Sequence, residues 1–99
     1  RLEAALRRGL GDANVLPAEP SSSSEDFGVY GRVAGAPSVQ LRIGATAPAE
    51  LSRAKAEGRF VPGPHNSQFA PDRGPTIRTG VAALVFSTLE LLGGPAAKP

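Results

Sequence analysis

Apolar residues recur every three or four positions near both ends of the chain, which is the spacing of one face of an α-helix. The first stretch predicts a helix over 2–10, followed by Gly11, a residue suited to a left-handed cap. The second predicts the strongest helix of the chain, with Pro75 in its first turn, a stop at 93–95, and a close backbone approach at Gly80. We expect one face of this last helix to need covering, and it carries Ile77, Val81, Leu84, Val85, Thr88, Leu89 and Leu92.

Two shorter helices are expected between these ends. The serines and carboxylates of 21–26 suit the amino end of a helix, because serine caps free N–H groups and negative charge interacts favourably with the helix dipole. A polar helix is expected over 48–57, with Pro48 at its first position and Gly58 after its end. One face of the earlier helix would carry Phe27, Tyr30 and Val33.

Strict alternation of apolar and polar residues over 39–43, ended by Gly44, predicts a strand. A single strand leaves its backbone groups unpaired, and the other candidate, 14–16, is only three residues long. Helices with apolar faces also need a sheet to cover. We therefore expect an α/β fold, in which this chain is the terminal helix-strand-helix portion of a larger α/β domain and is incomplete by itself.

Composition limits the classes of function. The 99 residues are 40% hydrophobic but include 12 Gly and 10 Pro, so much of the chain should be loop around a thin core. The eleven basic side chains are scattered and the net charge is only +2, which disfavours nucleic-acid binding. No apolar run reaches the length of about 18 residues typical of a membrane span. The first residue is Arg1 rather than Met, from which we expect that processing or truncation has removed the true start.

His65 is the only histidine of a chain that has no cysteine. It lies in a loop, 60–75, directly before the last helix. Pro62 and Pro64 stiffen this loop, and Asn66 and Ser67 offer hydrogen bonds that could orient an imidazole. Two interpretations are open. The side chain is either a solvated loop histidine or one ligand of a metal site whose other ligands lie elsewhere.

Glu25 and Asp26 are adjacent, so on a helix they cannot both face one site. Favourable interaction with a helix dipole is the interpretation of the pair that the residues favour. The sequence contains no G-x-S-x-G, no Walker loop and no H-E-x-x-H motif.

Several motifs in order resemble the carboxy-terminal end of the amidohydrolase branch of the zinc exopeptidase family. They are the sequence S-E-D-F at 24–27, the strand ending L-R-I-G at 41–44, the pattern H-x-x-x-F at 65–69, and T-G-V at 79–81 in the final helix. The family includes aminoacylases, hippurate hydrolases and glutamate carboxypeptidases. The similarity extends over essentially the whole chain, and its specificity lies in the order of motifs that are individually short.

The resemblance implies a metal-dependent hydrolase with a phosphorylase/hydrolase-like sandwich as its catalytic domain. Residues 1–94 would complete that domain, and 95–99 would be a flexible tail. His65 would bind one of two divalent metal ions, with zinc favoured and manganese, cobalt or nickel as alternatives. Glu25, Asp26 and Asn66 would lie behind the metal or beside the substrate, and no residue of the chain would itself be catalytic.

The same resemblance implies the partners. The substrate would be an N-acyl amino acid or a short peptide, cleaved by a metal-activated water, and the intact enzyme would be a homodimer. The remainder of the catalytic domain would be needed for activity, with no nucleic acid or membrane involved. A cytoplasmic location is favoured over a periplasmic or secreted one. The alternative function is a non-catalytic interaction module that docks through the helix at 77–92.

Overall fold

The computed structural model describes residues 1–19 and 25–93, and these ranges are helical or irregular. The predicted α/β fold is wrong for this structure, because helices account for 55% of the described residues and none of these residues forms a strand. The predicted tail at 95–99 lies outside the described residues. So does most of the predicted helix stop at 93–95. The helices are α1 (Leu2–Leu10), α2 (Gly28–Ala34), α3 (Pro48–Ala56) and α4 (Arg73–Leu92), with a 3-10 turn at Asp12–Asn14.

The segment predicted as a strand, 39–43, is irregular rather than paired. No backbone hydrogen bond of these five residues joins them to another described part of the chain. The second candidate strand begins inside the 3-10 turn, where the side-chain amide of Asn14 donates to the Leu10 carbonyl at 2.7 Å. Alternation makes a strand only where another strand satisfies its backbone groups, and the described residues supply none.

The packed centre of the structure is the pair α1 and α4. Helix α4 turns small residues toward α1, and Ala83 and Ser87 on this side are buried. On α1, Ala5 and Leu6 are buried. The two helices approach closely at Gly9, where a Cβ atom would lie 2.4 Å from the ring of Phe86. Small residues thus let the two helices come together, as packing of side-chain ridges into grooves requires.

The apolar face predicted for α4 is correct in spacing but is not covered. Its large apolar side chains remain exposed, from Val85 at 47% to Leu92 at 79%. The predicted close approach at Gly80 is also wrong, because no atom lies within 4 Å of a Cβ built there. By length and composition alone α4 could cross a membrane, and it is the one helix among the described residues of which this is true.

Helices α2 and α3 are held by local contacts and pack against no other helix in the described ranges. The prediction for α3 is confirmed, since Pro48 lies in its first turn and Gly58, with φ 63°, follows its end. Helix α2 begins at Gly28, and the serines predicted to cap it lie outside the described residues. The rings of Phe27 and Tyr30 are 5.9 Å apart, although Tyr30 remains exposed.

The core is small for a chain of this length. The accessible surface is 8259 Å², whereas a compact monomer of 10.1 kDa would expose about 5,300 Å². The radius of gyration is 16.5 Å, against about 13 Å for a compact domain of 100 residues. The buried apolar residues of the described ranges are Ala5, Leu6, Ala54 and Ala83.

Candidate functional site in the histidine loop

His65 occupies a tight turn in the loop between α3 and α4. The Asn66 N–H donates to the Gly63 carbonyl at 3.2 Å, which closes a four-residue turn with Pro64 in its second position. His65, in the third position, has φ 68°, and it is the one non-glycine residue of the described ranges with a positive φ. Proline second and a left-handed residue third is the pattern of a type II turn, in which glycine or asparagine normally takes the third place.

Asn66 links this turn to a second one. Its side-chain Oδ1 accepts a hydrogen bond from the Gln68 N–H at 2.8 Å, and its carbonyl accepts one from the Phe69 N–H at 3.0 Å. Asparagine side chains commonly close turns in this way. Asn66 therefore orders the backbone after His65, and its predicted role in orienting the imidazole stays a prediction.

The loop is tied to the rest of the chain after the turn. Gly63 and Phe69 are half-buried, whereas His65 is exposed. After the loop, the Asp72 N–H donates to the Ala45 carbonyl at 2.7 Å, which ties the start of α4 to the end of the segment that contains 39–43. The His65 side chain is thus exposed to solvent on a turn that is closed by local hydrogen bonds.

Glu25 and Asp26 do not join His65 through any hydrogen bond or ion pair among the described residues. Glu25 instead accepts the Phe27 N–H at 3.1 Å and the Gln40 side-chain amide at 3.2 Å. The Asp26 carbonyl accepts the Val29 N–H at 2.9 Å. Among the described residues these bonds place Glu25 and Asp26 in the turn that leads into α2, and α2 has no acidic residue in its first turn.

A metal site is not complete within the described residues, since no group of three or more histidine, aspartate or glutamate side chains lies together there. A structural zinc ion takes four ligands, and a catalytic one takes three and a water. His65 could provide one of them. A groove of about 500 Å³ lies between α1, α4 and the segment 39–44, and it includes neither His65 nor Glu25.

Sequence reasoning missed a charged cluster between the first and last helices. The Glu90 carboxylate lies 3.0 Å from the Arg1 guanidinium and 2.9 Å from that of Arg8. The hydrogen bond from Arg1 is the main reason that the pKa of Glu90 is lowered, and the charge of Arg8 adds to it. Arg1 and Arg8 lie more than 80 positions from Glu90 along the chain, so no local sequence pattern predicts this cluster.

Comparison of the chain with protein-family models, with curated proteins and with solved structures gives no match in any of the three. The similarity to zinc exopeptidases therefore remains an inference from the motifs alone.

Proposed function

We propose that this chain is the carboxy-terminal segment of a metal-dependent amidohydrolase or peptidase, in which His65 binds one metal ion. The observation that supports this most is the backbone of His65. A left-handed residue with a Cβ atom is disfavoured by roughly 1–2 kcal/mol, and glycine or asparagine would fit the turn better. An exposed imidazole held in an unfavourable conformation is the kind of outlier that accompanies a functional role.

The segment would supply one ligand to a larger site. The other ligands, and the glutamate that accepts a proton from water, would come from residues outside this chain. Two divalent ions, zinc most favoured, would supply activation of a water and polarisation of an amide carbonyl of an N-acyl amino acid or short peptide. His65 must be neutral to bind, so metal retention should weaken in acid.

The small core supports a role within something larger. The accessible surface of the chain exceeds that of a compact monomer of the same mass by more than half. Large apolar side chains form part of that surface, including Phe60 at 75% and Leu84 at 66% exposure. Within α4, the exposed side chains Ile77, Val81 and Leu84 follow one another at helical spacing, and exposed apolar patches often contact another protein segment.

The test is a pair of substitutions in a longer protein that contains this sequence. His65→Ala should lower bound metal by about half and reduce hydrolysis of N-acyl amino acids by at least about 100-fold, because a direct ligand matters more than the residues behind it. His65→Asn is the matched control for the backbone, since asparagine tolerates the left-handed region but supplies no imidazole. It should lose metal equally and unfold at the same or a higher temperature.

Full metal content and full turnover in both variants would remove His65 from the site. The coding DNA in frame before Arg1 offers an independent test, because the remaining histidines and acidic ligands should be encoded there. The isolated 99-residue chain should neither hydrolyse amides nor hold zinc tightly.

The exposure of α4 favours a second candidate function, a non-catalytic module that docks through this helix. Such a module should fold by itself, so the 99-residue chain should unfold in one cooperative thermal transition. A severed piece of an enzyme should instead retain helical circular dichroism without a cooperative transition and should bind hydrophobic dyes. The two functions are thereby separated by one calorimetric scan.

A further inference from the structure

A groove lined mainly by aliphatic side chains lies between α1, α4 and the irregular segments 14–19 and 39–44. Its volume of about 500 Å³ is within the range of about 300–1,000 Å³ that small-molecule sites usually have. Helix α4 contributes the small residues Thr79 and Ala83, so space remains beside the larger side chains. Six of those side chains come from α1 and from the segment 39–43, namely Leu2, Leu6, Leu10, Val39, Leu41 and Ile43.

The groove is distinct from the exposed apolar face of α4, because it lies where this helix meets α1. Part of its lining is buried, with Leu6 at 6% and Ala83 at 2% exposure. Another part is open to solvent, since Leu16 is 79% and Val39 is 53% exposed. A hydrocarbon chain in the groove would remove this apolar surface from water, which is favourable.

Three charged side chains line the groove, and two of them are acidic. The carboxylate of Glu3 accepts two hydrogen bonds from the Arg7 guanidinium, at 2.9 and 3.0 Å, so its charge is already compensated. The carboxylate of Glu19 and the guanidinium of Arg42 form no ion pair within the described residues. The groove therefore has one acidic and one basic group available to a ligand.

Arg42 is the better placed of these two groups. Its Nη1 donates a hydrogen bond to the backbone carbonyl of Glu19 at 3.3 Å, which holds the guanidinium at the groove. Its Nε and Nη2 donate no hydrogen bond within the described residues. These two N–H groups are parallel, and arginine binds a carboxylate through such a pair. The sequence at 20–24 and 94–99, outside the described residues, contains no aspartate or glutamate that could take this place.

We infer that the groove binds an aliphatic carboxylate, with its hydrocarbon chain along α1 and the segment 39–43 and its carboxylate on Arg42. The inference goes beyond the function proposed for His65 and does not rest on it, since the groove does not include that residue. A neutral aliphatic ligand would leave the paired N–H groups of Arg42 without an acceptor. An aliphatic ammonium ion would depend on Glu19 and would be repelled by Arg42.

Three probes with the same chain length separate these ligand classes. Isothermal titration calorimetry should be run with octanoate, octan-1-ol and octylammonium on the protein that contains this sequence, so that the outcome does not depend on whether the 99 residues fold alone. Octanoate should bind at least about 10-fold more tightly than the other two, because only octanoate accepts the charged hydrogen bonds. Butanoate should bind more weakly than octanoate, because it buries less apolar surface.

Substitution of the arginine tests the carboxylate contact. Arg42→Gln should weaken octanoate binding by about 10-fold and leave octan-1-ol binding unchanged. Arg42→Lys should recover only part of the loss, because an ammonium group lacks the paired N–H geometry. Arg32→Gln is the matched control, since Arg32 is also exposed and also forms no ion pair within the described residues, but lies outside the groove. It should leave both affinities unchanged.

A substitution that fills the groove tests where the hydrocarbon chain lies. Thr79 is an exposed residue of α4 in the groove lining, so Thr79→Phe should weaken both octanoate and octan-1-ol by at least about 10-fold. Thr88→Phe makes the same change at an exposed position of α4 outside the groove and should alter neither affinity. Far-ultraviolet circular dichroism should show the same helix content in both variants.

Four outcomes would overturn the inference. Equal affinities for octanoate and octan-1-ol would leave Arg42 without a role, and tighter binding of octylammonium would assign the site to Glu19. Octanoate binding that survives both Arg42→Gln and Thr79→Phe would place the ligand elsewhere. No heat of binding from any probe at millimolar concentration would mean that the groove holds no such ligand. The His65→Ala variant should bind octanoate normally, so failure of the metal site and failure of this site are distinguishable.

Discussion

The paired helices α1 and α4 differ from the middle of the chain, residues 25–69, in the kind of contact that holds them. In the pair, residues far apart in sequence meet, as Gly9 does with Phe86 and Arg8 with Glu90. In the middle, hydrogen bonds and ion pairs mostly span 15 residues or fewer. For example, Glu50 of α3 pairs with the nearby Arg53 and Arg59. In a chain that unfolds cooperatively, as the docking function requires, this stability should come from the pair, whereas the middle should retain only local order.

The largest expected effect is on the most buried large side chain of the pair. Leu6 is 6% exposed, and Leu6→Ala should lower the free energy of unfolding by about 2–3 kcal/mol through lost burial and a residual cavity. Leu51→Ala makes the same change in α3, where Leu51 is 48% exposed, and should change it by less than about 0.5 kcal/mol. Urea titration followed by circular dichroism measures both. Equal losses would mean that the middle is as cooperative as the pair.

A smaller effect should come from the close approach of α1 to α4. Gly9→Ala places a Cβ atom where the Phe86 ring lies, so Phe86 or α1 must shift, and overpacking of this kind costs about 1–3 kcal/mol. The gain in helix propensity from glycine to alanine offsets only about 1 kcal/mol. Gly80→Ala is the control within α4, since a Cβ there meets nothing within 4 Å. This control should raise the free energy of unfolding by about 1 kcal/mol. Thermal unfolding should therefore show that the two variants change stability in opposite directions.

If both glycine variants are stabilised, α1 does not approach α4 as closely as the Phe86 contact requires. Opposite changes in stability would support the close contact of α1 with α4, because a single methyl group would then report a contact between residues 77 positions apart along the chain.

The helices could be predicted because their signals are local. Apolar spacing, Pro48 and Pro75 near helix starts and Gly58 after a helix end each act within a few residues, and α1, α3 and α4 follow them. The strand at 39–43 was predicted from equally local alternation. A strand, however, exists only with a partner, and pairing is not a local property.

The covered face of α4 could not be predicted from hydrophobicity. The expected face carries Ile77 and Leu84, yet the side that meets α1 carries Ala83 and Ser87, because small residues allow close approach. At the candidate site, the prolines predicted a stiff loop around His65, and a Pro-His pair in a turn was the available signal for its positive φ. The companions of His65 were not predictable, since no motif within the described residues brings an acidic group to it.

The smallest effect compares two acidic residues with similar partners, Glu90 in the pair and Glu50 in α3. Arginine hydrogen bonds lower the pKa of both carboxyls, from Arg1 at Glu90 and from Arg53 at Glu50. A lowered folded-state pKa adds stability above the ordinary glutamate range near pH 4.3, and this stability is lost as the pH falls through the folded-state value.

Thermal unfolding between pH 7 and pH 3 should therefore respond differently to two matched variants. Glu90→Gln should lower the melting temperature at pH 7 by a few degrees and flatten its fall in acid, because the lost ion pairs join the two ends of the chain. Glu50→Gln should change the profile less, since its pairs span 3 and 9 residues and can persist after the helices of the pair separate. High salt should shrink the Glu90 effect, because these charges are partly exposed. An equal flattening by both variants would mean that α3 unfolds together with α1 and α4, and the distinction between the two regions would then fail.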